Sequence, residues 1–178
     1  CQNGKSRLCA RGTTQGQQQT TASRYQYNPQ GQLLARGDIV EGNGPEAWAG
    51  YAYDQMGRRT GISYPSGTQV GYGHNAGALT LMQATSSGTT QTVVSGLQYQ
   101  PDGQLAKLRY GNGVLKERHY DSDGRLLVLH DHQWLGHTLD YDANNRITRI
   151  QNWSRRDYDQ LYSYDALSRL TDIHSPAG

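Results

Sequence analysis

The chain has 178 residues, 17 basic against 15 acidic side chains, 22 Gly, 13 Tyr and no Phe, a length that fits one domain or a slice of a longer chain. Leu, Ile and Val supply 28 residues, about 16%, below the rough one-fifth level that accompanies disorder, yet a net charge of +2 lacks the self-repulsion that disorder also needs. An ordered fold with a thin, largely aromatic buried surface follows; a globular α/β enzyme is disfavoured, nucleic acid finds no basic cluster to bind, and no run of even 10 apolar residues offers a membrane span or signal-peptide stretch.

In chain order, residues 1–23 read as a partial repeat followed by a loop. Residue 1 is Cys rather than Met, which predicts a chain trimmed from a longer precursor. Cys1 and Cys9 could close a single small loop as a disulfide, although a pair of free thiols is the favoured reading. The Gln/Thr-rich stretch from Gln15 to Thr21 reads as loop.

From Tyr25 onward one pattern recurs. Tyr25-Gln-Tyr27-Asn28-Pro-Gln-Gly31 is followed by Tyr51-Ala-Tyr53-Asp54-Gln-Met-Gly57-Arg58, the shortened Tyr72-Gly-His74-Asn75-Ala-Gly77, Leu97-Gln-Tyr99-Gln100-Pro-Asp-Gly103, Arg118-His-Tyr120-Asp121-Ser-Asp-Gly124-Arg125, Leu139-Asp-Tyr141-Asp142-Ala-Asn-Asn145-Arg146 and Tyr162-Ser-Tyr164-Asp165-Ala-Leu-Ser168-Arg169. The ring before the acidic or amide position falls at 27, 53, 74, 99, 120, 141 and 164, giving about seven repeat units of 21 to 26 residues across a single repeat region, 1–178. Asp or Asn opens a reverse turn by bonding backbone two residues on, Pro29 and Pro101 pre-set φ at the next position, and Gly stands fourth. Asn145 and Ser168 replace that Gly, Ser168 less comfortably, so the last turn is predicted to be the most strained.

Alternating Tyr-x-Tyr or Leu-x-Tyr triplets place two large side chains on one strand face before each turn. After it, Leu105/Leu108, Leu126/Leu129, Ile147/Ile150 and Leu170/Ile173 stand three apart, the wrong spacing for one face of a flat strand, which predicts a bulge or sharp twist in every returning strand. Further turns are predicted at Tyr64-Pro-Ser-Gly67, Ser86-Ser-Gly88 and Gly111-Asn-Gly113, the last read as a two-residue hairpin loop. Pro45 to Ala49 offers at most one helical turn, and Thr85 to Thr92 reads mostly as loop. The sum is roughly 12 to 14 short strands in an all-β chain of tandem hairpins.

Candidate chemistry is sparse. His130 and His132, at i and i+2, with His137 and Asp140 form the best metal set, against the reading that residues 126–141 are one more hairpin. Asp54, Asp121, Asp142 and Asp165 could be paired as a general acid and base, but their identical place in the repeat argues for turn capping. No Gly-x-Ser-x-Gly elbow frames a triad. No catalytic, cofactor or metal residue is therefore assigned, no cofactor is expected, and the chain is not expected to be an enzyme. The tyrosines read as a ladder along one sheet face with hydroxyls reaching solvent or backbone, whereas Trp48, Trp134 and Trp153, between repeat cores, could stack on sugars or partner proteins.

Tyr-Asp-x-x-Gly-Arg-Leu reiterated with Gly-Asn-Gly between copies resembles the Rhs or YD-repeat family, over residues 24–174. That family includes bacterial polymorphic toxins, components of insecticidal toxin complexes and the teneurins. The resemblance implies an elongated, curved and twisted antiparallel sheet, a section of a hollow β-shell that in toxin members encapsulates a C-terminal toxin domain for delivery to target cells. It also implies secretion or a cell-surface location in bacterial competition, with neighbouring repeats, the toxin domain of the same polypeptide and secretion machinery as partners. The Asp-Pro-x-Gly-Leu motif that closes such shells has no counterpart here, which places plug and toxin outside these residues. A cell-surface adhesion module binding glycans or proteins through exposed Tyr and Trp is the alternative.

Overall fold

The computed structural model describes residues 8–15, 18–40, 45–131 and 135–176. Among the described residues fifteen strands follow one another in sequence order, each hydrogen-bonded to the next, in one open antiparallel sheet, slightly more strands than the sequence predicts. Two compact units divide the chain, residues 1–93 and 94–178. The first holds β1 (Ala10–Gln15), β2 (Gln18–Tyr27), β3 (Leu33–Val40), β4 (Ala47–Tyr53), β5 (Arg59–Ser63), β6 (Gln69–Asn75), β7 (Ala78–Ser86) and the beginning of β8 (Thr89–Tyr99). The second holds the rest of β8, then β9 (Leu105–Tyr110), β10 (Leu115–Tyr120), β11 (Leu126–Asp131), β12 (Gly136–Tyr141), β13 (Ile147–Asn152), a 3-10 turn at Arg156–Tyr158, β14 (Gln160–Tyr164) and β15 (Leu170–His174).

The returning strands are bulged at all seven repeats. Tyr99 faces Leu105 while Gln98 faces Lys107, so Ala106 is left without an opposite residue. The same two-residue step leaves out Leu34, Thr60, Thr80, Leu127, Thr148 and Thr171. One skipped residue moves Leu108 back to the face of Leu105, which is how an apolar pair three apart shares a surface.

Most turns share one geometry. At Asp54 the carbonyl accepts from the Gly57 N–H at 3.0 Å and the Asp54 N–H donates to the Arg58 carbonyl at 2.9 Å, the pattern of a type I turn closed by a left-handed residue. Gly111-Asn112-Gly113 adopts it too, with Gly113 bonded to Tyr110 and Tyr110 to Val114. The two-residue reading of that segment is thereby corrected: only Gly113 takes positive φ. True two-residue loops occur instead at Ala76-Gly77 and Ser87-Gly88, both members at positive φ.

Three further expectations are corrected. Of Gln15 to Thr21, Gln15 ends β1 and Gln18 to Thr21 open β2, with Gln15 paired to Gln18 and Thr13 to Thr21; Gly16 and Gln17 lie outside the described residues. Thr85 to Thr92 spans the end of β7 and the start of β8, with the Thr85 and Thr90 hydroxyls 2.8 Å apart. Both stretches look like loops because they lack apolar alternation, but a sheet solvated on its faces does not require it, and β-branched Thr suits a pleated strand. Residues 45–49 form no helical turn, because Trp48 pairs with Gly37 across β3 and β4 and its ring lies where a Cβ on Gly37 would stand 2.5 Å away.

Among the described residues only Ala22 and Leu108 are buried apolar side chains, and no large side chain is fully enclosed, which fits the thin core that the composition implies. Cys9 is disulfide-bonded, correcting the free-thiol reading; Cys1 lies outside the described residues. Asn145 and Ser168 take φ of 62° and 61°, a region that costs a side chain roughly 1–2 kcal/mol. Ser168→Gly is therefore expected to stabilise the chain by about 1 kcal/mol, more than Asn145→Gly, because Asn tolerates that backbone. Equal denaturant midpoints for S168G and the unaltered chain would remove the strain argument.

Candidate functional site

The residues that recur with the period meet at the seam between successive hairpins. In the Asp54 turn, Oδ1 accepts from the backbone N–H groups of Met56 and Arg58, each at 2.9 Å, and Oδ2 receives Arg58 Nε at 2.7 Å. Asp121 with Arg125, Asp142 with Arg146 and Asp165 with Arg169 repeat the arrangement at 2.6–2.7 Å. The backbone N–H groups of Arg58, Arg146 and Arg169, ahead of their guanidiniums, hold Asp54, Asp142 and Asp165 below the usual carboxylate range. At Asp121 partial desolvation pushes upward, but bonds from Arg125 and Asp123 outweigh it and the net shift is also downward. Each carboxylate is engaged with its own turn, where the sequence placed it, and none is paired with another.

At four of the turns the residue that follows reaches into the next unit. Arg125 Nη1 donates to Asn145 Oδ1 at 2.6 Å, and its guanidinium carbon stands 5.0 Å over the Tyr141 ring. Arg146 lies 4.8 Å over Tyr164 and bonds the Asp165 carbonyl and Ser168 Oγ. Gln32 and Gln104 take the same step without charge, donating to the carbonyls of Gly57 and Gly124. A Cβ on Gly124 would meet the Gln104 amide at 2.8 Å, and its φ is 79°, so this Gly serves both its own turn and the previous unit's reach.

The tyrosine hydroxyls work in the opposite direction. Tyr27, Tyr53, Tyr120, Tyr141 and Tyr164 donate to the carbonyls of Leu8, Leu33, Leu105, Leu126 and Ile147 at 2.8–2.9 Å. Those of Tyr53, Tyr120, Tyr141 and Tyr164 reach the first residue of the preceding returning strand. Between β11 and β12 the paired register runs only from Val128–Thr138 to His130–Gly136, short of Leu126 and Tyr141. The Tyr141 hydroxyl thus supplies the partner that a carbonyl beyond the ladder requires. The ladder reading holds, with backbone as its target.

The sequence-derived metal set does not assemble as proposed. Register puts His130 opposite Gly136 and His137 opposite Leu129, so the two histidines point to opposite faces, and Asp140 lies three residues beyond His137. His132 lies outside the described residues. His130 instead meets Glu117 and His119 of β10, ligand atoms of all three lying within 4.8 Å of one another, a grouping that no sequence spacing signals.

Trp153 is 47% exposed, but one ring face stacks on His130 with centroids 5.3 Å apart, Nε1 donates to Thr138 Oγ1 at 2.8 Å, and the ring covers Gly136. Tyr158 carries Arg155 at 4.5 Å, Trp48 Nε1 donates to Glu46, and Trp134 lies outside the described residues. An open groove of about 640 Å³ within the first unit is lined by Leu34, Tyr51, Ile62, Ser63, Val70 and Gln83, a mixed surface without a cluster of charged groups. Asp159, which stands outside the repeat pattern, is the one buried charged side chain among the described residues. It accepts from Arg149 Nη2 at 2.7 Å and from the Asn152 N–H at 2.8 Å, pinning the connection between β13 and β14.

No family profile and no curated protein matches the chain. Solved structures do. The crystal structure of TcdB2-TccC3-Cdc42 superposes on 86% of this chain and 9% of its own with a TM-score of 0.77 at 19% identity. That of TcdB2-TccC3-TEV covers 93% of this chain and 10% of its own, TM-score 0.78 at 17% identity, and that of TcdB2-TccC3 without its hypervariable C-terminal region covers 86% and 9%, TM-score 0.77 at 18%. The chain spans about a tenth of the length of these proteins, and the likeness establishes its fold, a β-sheet repeat strip of the kind they contain. Among the described residues no helix is long and apolar enough to cross a membrane.

Proposed function

We propose that this chain is a section of the wall of an Rhs/YD-type β-shell, part of a larger secreted or surface-held bacterial protein that encloses a C-terminal toxin domain for delivery to target cells. The observation that carries the reading is the seam: most hairpins are completed by side chains of a neighbour, while among the described residues almost nothing is buried. A strip built so gains stability by lengthwise addition rather than from a core. The fold shared with TcdB2-TccC3 supports the same reading. In this reading the segment carries no catalysis of its own, and its partners are neighbouring repeats and the enclosed domain.

An antibody raised to this segment tests the proposal on extracts and culture fluid of the source cells. A band many times the 19.8 kDa of this chain, protecting its C-terminal part from added protease, is the expected result. A band near the size of the chain itself, with reproducible binding on a glycan array, would overturn it in favour of the adhesion module.

A further inference from the structure

We propose that Glu117, His119 and His130 form a binding site for a divalent transition-metal ion of the zinc class. Glu117 and His119 stand at i and i+2 on β10, hence on one face, and His130 is the register partner of Glu117 on β11. The grouping therefore follows from backbone pairing rather than from a chance approach of surface side chains. His130 Nε2 lies 3.3 Å from Glu117 Oε2, close to the roughly 3.3 Å ligand-to-ligand edge of a tetrahedral site with bonds of about 2.0–2.1 Å. The His119 and His130 rings are parallel within 4°, centroids 6.1 Å apart, and His119 offers a ring nitrogen within 4.8 Å of the other two ligand atoms. Imidazole and carboxylate are the donor set that zinc accepts, and three protein ligands leave a fourth position for water.

The surroundings bear on affinity. Trp153 stacks on the far side of His130, limiting its ring to few orientations and shielding one side from water. His130 and Glu117 are only 13% and 20% exposed at their side chains. Against binding stands Lys107, whose ammonium is 2.5 Å from Glu117 Oε1. It adds a repelling charge beside the carboxylate, so removing that charge should strengthen the site.

The test is a titration of the 178-residue chain, disulfide intact, with ZnCl2 alone by calorimetry, and with CoCl2 alone by absorption, where intense visible bands report tetrahedral coordination. One ion per chain is expected, together with a rise in thermal midpoint because the ion binds only the folded register. His119→Ala and His130→Ala should weaken binding by more than the roughly 10–100-fold that loss of an outer-shell partner costs, while Lys107→Met tightens it. His137→Ala, on the neighbouring strand but the opposite face, should bind as the unaltered chain does. Absence of stoichiometric binding, or retention of full affinity in both H119A and H130A, would overturn the site. Loss in H137A equal to that in H130A would overturn it too, by moving the ligand set to the other face.

Discussion

Replacing Tyr141 by alanine is expected to lower stability by about 2–3 kcal/mol, somewhat under the roughly 3–5 kcal/mol of a fully buried aromatic, because the ring is only half-covered. Three things go at once: the ring's cover on the strand face that it shares with Leu139, the Arg125 guanidinium 5.0 Å above it, and the hydroxyl's bond to the Leu126 carbonyl at 2.8 Å. Tyr141→Phe separates them. It keeps the ring and leaves the Leu126 carbonyl without its protein partner, a loss of about 1 kcal/mol. Burial also pushes the Tyr141 phenol up, so the stability tied to its neutral form is present below about pH 10 and is lost as pH rises through the folded value. Denaturant unfolding of both variants checks the ranking; a Y141A midpoint equal to that of Y141F would remove the ring from the account, and unchanged midpoints in both would remove the ladder.

The same residue shows where sequence reasoning reached and where it stopped. A strand face carrying Leu139 and Tyr141, followed by Asp142 and an apolar pair three apart, is written locally, and the turns and the bulges follow from it. The bond from Tyr141 to Leu126, fifteen residues back, and that from Arg125 to Asn145, twenty residues on, depend on how far the ladder between units runs, and no local pattern states that. For the same reason His130 was grouped with His137, its neighbour in sequence, when the register gives it Glu117. Polarity misled in the opposite sense at Gln15 to Thr21: the rule that half-buried strands alternate presumes a core to face, and Ala22 and Leu108 are nearly all the core that the described residues contain. Where burial is thin, the period of the turns is the stronger signal.

Exchanging the charged turn pairs for neutral ones should leave the fold intact and blunt its response to acid. Asp54, Asp121, Asp142 and Asp165 are all held below the ordinary carboxylate value. Their contribution is present above the unfolded pKa, about 3.9, and is lost as pH falls through the folded values, so the unaltered chain should lose thermal stability progressively below about pH 4. The first repeat already contains the neutral alternative: Asn28 Oδ1 accepts from the Gln32 N–H at 2.8 Å and its amide donates to the Gln32 side chain, while Gln32 still reaches Gly57. Asp121→Asn/Arg125→Gln combined with Asp142→Asn/Arg146→Gln should therefore keep the turns closed near pH 7, losing only what the Arg125 and Arg146 guanidiniums contribute over Tyr141 and Tyr164, and should lose visibly less of its thermal midpoint on acidification than the unaltered chain does. Asp121→Ala with Asp142→Ala, which removes the acceptors of four backbone N–H groups, should be destabilised at both pH values. If the neutral exchange fell as steeply in acid as the unaltered chain, the turn carboxylates would not be the acid-sensitive element. If it were as damaged as the alanine pair near pH 7, the ion pair itself, and not the acceptor geometry that Asn28 reproduces, would be what closes each turn.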